Sequence, residues 1–204
     1  MFKILNDVSR RDALKAIGAS AALTASGTGV LSLDAAQHVH QEAAIQRAAG
    51  PYKPRALNAI EYRSLRRLVE MIIPPDEKSK GAIEAGAPEY VDLLCANNVE
   101  LKEIYTGGLG WLDREMKKRY GALFADAKPE QQTAMLDLIA YRKNDSPALA
   151  PGIRFFTWAR NMVVDAFYTS KIGFDDLGFM GNGAMAEFKV PQEAIEYALK
   201  RSGL

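Results

Sequence analysis

Apolar residues in this chain recur at three- and four-residue spacing, and nowhere do they alternate with period two long enough to make a convincing strand. That restricts the fold to helices packed on helices. The clearest segment carries Leu65, Leu68, Val69, Ile72 and Ile73, opens on the N-x-x-E capping pair Asn58 and Glu61, and stops at Pro74-Pro75. Further helices are expected to open at Pro88, Pro129, Pro151 and Pro191, since proline is tolerated in a first helical turn. The most hydrophobic of them carries Phe155, Phe156, Ala159, Met162, Val163, Ala166 and Phe167 as one wide stripe, with Trp158 on its flank. The expected fold class is all-α, a compact helical bundle of about five to seven helices with long connecting loops rich in glycine and aromatics. The glycines of Gly107-Gly108-Leu109-Gly110 suggest a break in a helix or a tight approach to a neighbour.

The first 36 residues have a different character. Ser9-Arg10-Arg11-Asp12-Ala13-Leu14-Lys15 precedes the uncharged, alanine-rich stretch from Ala16 to Leu33, and Asp34-Ala35-Ala36 follows as an imperfect A-x-A cleavage signal. A basic start, a modestly hydrophobic run and small residues describe a signal peptide. Paired arginines directly before that run, Arg10 and Arg11, specify the twin-arginine (Tat) route, which carries folded cargo. Gly, Ser and Thr make the run a poor membrane span. The expected organisation is a signal over 1–36, a linker over 37–56 and a helical domain over 57–204. The linker holds both histidines, His38 and His40, read as solvated because no further histidine completes a metal site.

Charge and cysteine usage narrow the function. Beyond Ala36 the chain has 22 basic and 22 acidic residues, so it lacks the basic excess of a nucleic-acid surface. A single cysteine, Cys95, makes no internal disulfide, cysteine zinc cluster, iron–sulfur site or haem attachment, and its apolar neighbours read it as a small buried hydrophobe. No G-x-G-x-x-G follows a strand, and neither a phosphate-binding G-x-x-x-x-G-K-[ST] nor a nucleophile elbow is present. The expectation is a chain with no catalytic, cofactor-binding or metal site of its own. Carboxylates such as Asp113, Glu115, Asp165, Asp175 and Asp176 are read as solubilising.

One segment stands out from plain scaffolding. From Phe167 to Gly183, glycines and aromatics are mixed. Glycines permit close backbone approach, and exposed aromatics anchor interfaces. Two readings stay open on the residues alone: a loop that docks another subunit, or one that packs on its own bundle. The docking candidates are Trp111, Phe167, Tyr168, Gly173, Phe174, Gly178, Phe179, Gly181 and Asn182.

Four stretches then carry a resemblance: Met71-Ile72-Ile73-Pro74-Pro75-Asp76-Glu77 with Gly81 to Gly86; Tyr90-Val91-Asp92; Gly108-Leu109-Gly110-Trp111-Leu112-Asp113 with Lys118-Arg119-Tyr120-Gly121; and Phe167-Tyr168-Thr169-Ser170 with Gly173 and Leu177-Gly178-Phe179-Met180-Gly181-Asn182. In this order and spacing the chain resembles the gluconate 2-dehydrogenase subunit 3 family, the small subunit of membrane-associated flavin sugar dehydrogenases. The leader departs in one place, with Asp12-Ala13-Leu14 where a phenylalanine is usual. The resemblance implies a non-catalytic subunit. Its partner would be a larger flavoprotein of the glucose–methanol–choline type that holds FAD, with electrons passing to a c-type cytochrome carrying haem c. It further implies that the small subunit stabilises the flavoprotein and escorts it through the Tat translocase to the periplasm, where the complex lies against the inner membrane. The competing readings are a free-standing periplasmic helical module binding a small ligand, and an enzyme working through carboxylates.

Overall fold

The computed structural model describes residues 32–178 and 190–202. The Arg10–Arg11 pair and Phe179, Gly181 and Asn182 lie outside the described residues. Among the described residues the chain forms nine α-helices and no strand. They are α1 (Leu33–Ala48), α2 (Ala59–Ile72), α3 (Gly81–Glu84), α4 (Ala87–Asn97), α5 (Val99–Tyr120), α6 (Pro129–Ile139), α7 (Ala150–Tyr168), α8 (Lys171–Leu177) and α9 (Gln192–Ser202). The all-α expectation holds. The helix number exceeds five to seven because α3, a single turn, and α8, about two turns, are set between the longer elements.

Local chemistry sets the helix starts. Asn58 Oδ1 accepts from the Ile60 and Glu61 amides at 2.9 and 3.0 Å, and Glu61 Oε2 accepts from the Asn58 amide at 2.9 Å, completing the capping box of α2. Proline occupies the first turn of α4, α6 and α7.

Helix α7 is the axis of the molecule, packing against α2, α3, α4, α5, α6 and α8. Its stripe Phe155, Phe156, Ala159, Met162, Val163, Ala166 and Phe167 is buried, against Leu65 and Leu68 of α2, Tyr90 and Leu94 of α4, and Tyr105, Leu109 and Leu112 of α5. Each large side chain moved from water to such a core contributes about 1.5–3 kcal/mol. Cys95 is buried here as a small hydrophobe, and burial pushes its thiol up to about 12.

The glycine-rich stretch 107–110 does not break α5, which runs unbroken through it. It makes a close approach instead, and the approach is mutual. A Cβ on Gly108 of α5 would collide with the Phe155 ring of α7, and a Cβ on Gly152 of α7 would collide with the Trp111 ring of α5. Each helix thus offers a bare backbone patch to an aromatic ring of the other, and the two axes lie close.

The region expected to be a solvated linker is structured. Its first part is α1, which lies against α4 with Ala36 and Ala43 buried. The apolar pattern here is carried by small alanines, which pack closely but give little hydropathic signal, so the helix was not legible by periodicity. The following loop, Gly50 to Leu57, is held by one buried carboxylate. Asp92 accepts from the Tyr52 hydroxyl at 2.8 Å and from the amides of Arg55, Ala56 and Leu57 at 2.7, 3.1 and 2.9 Å. Burial and this bond raise the Tyr52 phenol far above its usual range.

Candidate partner-docking surface

The outer side of α7 is the counterpart of its buried stripe. Trp158, Asn161, Val164 and Tyr168 follow one another at three- and four-residue steps and so share a face. Trp158 is 41% exposed, Val164 40% and Tyr168 37%. The chain then turns directly into α8. Ser170 caps that helix, accepting from the Gly173 amide at 3.1 Å while its hydroxyl donates to the Phe167 carbonyl at 2.6 Å. Gly178 closes α8 with φ of +62°, a left-handed conformation that suits glycine. Leu177, on α8, is exposed. Beyond lies α9, in which Ala194, Ile195, Ala198 and Leu199 share one face and no residue is buried.

Against this surface the docking candidates separate into three groups. Phe167 is internal, only 1% exposed in the core, whereas Trp111 is half-buried with its ring seated on Gly152. Gly173 is buried too, because its backbone passes so close to the Phe167 carbonyl that a Cβ would strike it. Phe167 and Gly173 are packing residues and offer no contact area to a partner, which corrects the docking expectation for these two, while Trp111 keeps part of its surface exposed. Tyr168 and Gly178 lie at the surface and Phe174 is half-buried. Phe179, Gly181 and Asn182 lie outside the described residues. Trp158 and Val164 were missed as candidates. Their signal was available, since both stand off the buried stripe of α7 by their spacing, but neither lies in the glycine–aromatic segment that begins at Phe167.

The polar groups near the α7–α8 joint are mutually satisfied. His40 of α1 makes a 2.9 Å hydrogen bond to the Thr169 hydroxyl, and its ring lies 4.6 Å from that of Tyr90. The Tyr90 hydroxyl donates to Asp165 at 3.1 Å. Burial lowers the His40 imidazole to about 4; burial raises the Asp165 carboxyl, against the opposing pull of the Tyr90 bond. His40 therefore works as a neutral packing residue that ties α1 to the end of α7, in place of the solvated side chain expected. Among the described residues no group of three side chains has the arrangement to hold a metal ion. Three of the other flagged carboxylates have structural partners. Asp113 is buried, accepting from the Ser64 hydroxyl and the Phe124 amide; Glu115 pairs with Arg119, and Asp175 with Lys171. No strand exists among the described residues, so the strand–turn–helix cradle of a dinucleotide has no counterpart there.

The gluconate 2-dehydrogenase subunit 3 family matches residues 59–185, from the start of α2 to beyond α8 and well over half of the chain. The chain belongs to that family. The match takes in the α5–α7 seam and the exposed face of α7, while α1 and α9 fall outside it. Comparison with curated proteins and with solved structures gives no match. As its family name states, this is a subunit-3 chain, an accessory component of a dehydrogenase complex. Among the described residues no helix is long and apolar enough to cross a membrane.

Proposed function

We propose that this subunit is the non-catalytic small partner of a periplasmic FAD-dependent dehydrogenase of the glucose–methanol–choline type acting on a sugar or polyol. It stabilises the catalytic flavoprotein, and its Arg10–Arg11 leader carries the folded pair through the Tat translocase. In this reading FAD sits in the partner and haem c in a cytochrome that accepts the electrons. The assembly holds the subunit at the inner membrane from the periplasmic side.

The observation that carries the reading is the apolar face Trp158–Val164–Tyr168 on α7, within the region matched to the family. Exposed aromatics backed by a rigid helix lose little entropy on binding and make strong interface anchors. The near-neutral charge balance favours a protein partner over a polyanion.

The test is co-purification. The chain, tagged at its C-terminus and expressed with its neighbouring genes, should bring a yellow, FAD-containing protein out of the periplasm. Changing Arg10 and Arg11 to Lys should keep that protein in the cytoplasm. A colourless, monodisperse chain, with the flavoprotein exported in its absence, would sink the reading.

A further inference from the structure

Helix α1 begins where the leader is expected to end, and the two cannot both hold the same bond. The expected cleavage follows Ala36 in Asp34-Ala35-Ala36. In the folded chain those residues form the first turn of α1. The Ser32 hydroxyl accepts from the Ala35 amide at 3.3 Å, and the Ser32 carbonyl accepts from the Ala36 amide at 2.9 Å. Asp34 sits in that first turn, where a negative charge suits the helix dipole. Ala36 is fully buried and Ala43 nearly so, while Ala35 and Val39 pack against the core.

The rest of α1 is tied down by side chains that reach three different elements. His40 bonds Thr169 at the end of α7, Arg47 Nη1 donates to the Glu84 carbonyl of α3 at 3.1 Å, and Glu42 pairs with Arg55 of the following loop at 2.6 Å. A peptidase needs its substrate extended over several residues around the scissile bond. Cutting after Ala36 therefore requires α1 to unwind and Ala36 to leave the core.

We propose that the Ala36–Gln37 bond is protected by the docking of α1, and that α1 belongs to the exported subunit, whose N-terminus lies upstream of Leu33. This rests on the Tat reading in one respect, that the chain is folded before it meets the export peptidase. Helix α1 is then a permanent part of the subunit and not a discarded remnant of the leader.

Two measurements test it. The first is the intact mass of the full chain recovered from the periplasmic fraction. A terminus at or before Ser32, including an uncut chain, agrees with the proposal; a terminus at Gln37 overturns it. The second is independent of export. The purified full chain is exposed to a protease that cuts after small residues, and the Ala36–Gln37 bond is followed by mass. The expected rate is about 100-fold lower than in Ala43→Asp, which places a charge in the buried side of α1. Equal rates in the two chains overturn the proposal. If the Arg10, Arg11 variant is still exported, the Tat reading fails, while the protease result still decides whether docked α1 shields the bond.

Discussion

The α5–α7 seam and the outer face of α7 are built from the same kinds of residue and do opposite things. In the seam, Gly108 and Gly152 each receive a ring from the facing helix, so glycine and aromatic are matched to each other, with Phe155 buried and Trp111 half-buried. On the outer face, Trp158 and Tyr168 stand with no glycine opposite, and their rings remain partly exposed. The difference teaches that glycine-with-aromatic composition is no docking signal in itself. It signals close approach, and a partner is implied only where the rings are left over.

The largest effect expected is in the seam. Gly152→Val drives two methyl groups into the Trp111 ring, and overpacking of this kind costs about 3 kcal/mol. For a chain of this size that lowers the melting temperature by roughly 6–12 °C. A thermal unfolding curve unchanged from wild type would mean that the seam is slack and no more tightly packed than the outer face. On the outer face the expectation reverses. Trp158→Ser should leave unfolding within about 0.5 kcal/mol of wild type, as for other exposed positions. It should weaken capture of the flavoprotein roughly 30-fold, the loss of about 2 kcal/mol typical of an interfacial anchor. Full capture by Trp158→Ser, measured by titration against the purified partner, would remove α7 as the docking face.

How far this was legible follows from the size of the side chains involved. The large apolar stripes of α2 and α7 announced their helices, and Asn58, Pro88, Pro129 and Pro151 announced where four of them begin. Helix α1 was hidden because alanine, which buries little area, does its packing, and because two histidines looked like solvent-facing residues. The Asp92 staple was hidden because its partners are backbone amides some 35 residues earlier in the chain, and a backbone amide leaves no mark in a sequence. Phe167 and Gly173 were correctly singled out as unusual. Of the two readings left open for this stretch, packing on its own bundle holds for these two, because Ser170 starts a new helix within it and folds Gly173 back onto Phe167.

A medium effect separates α1 from the α7 body by pH. His40 stays neutral in the fold down to about 4, whereas a free imidazole titrates near 6.5. Its folded value is depressed, so its contribution is complete above 6.5 and is lost as pH falls from there towards 4. After discounting for partial exposure, roughly 1 kcal/mol should disappear between pH 7 and 5. Asp165 works in the other direction: its raised carboxyl takes up a proton first in the fold, so it adds stability as pH approaches the carboxylate range. Arg47, Glu84 and Lys171 line the same cleft, and Arg47 and Lys171 repel an imidazolium. Hydrogen exchange of the α1 amides should therefore accelerate towards pH 5 beyond the intrinsic pH trend, and His40→Phe should abolish the excess. Equal acceleration in α5 would mean that the whole body, and not α1, carries the titration.

The smallest effect sharpens the line between body and face. Lys171 and Asp175 form a 3.1 Å ion pair one turn apart on α8, with side chains 87% and 67% exposed. Water screens such a pair, and holding two long side chains together costs entropy, so Lys171→Ala should change stability by less than about 0.5 kcal/mol. Asp92, by contrast, is fully buried under four hydrogen bonds, and its removal would leave backbone amides without partners in the interior. If denaturant titration of Lys171→Ala showed a loss above 1 kcal/mol, α8 would have to be braced by this pair rather than by Ser170 and the Gly173–Phe167 contact. The α7–α8 joint would then belong to the body's own stability. A free α8 surface, available to another chain, requires the loss to be small.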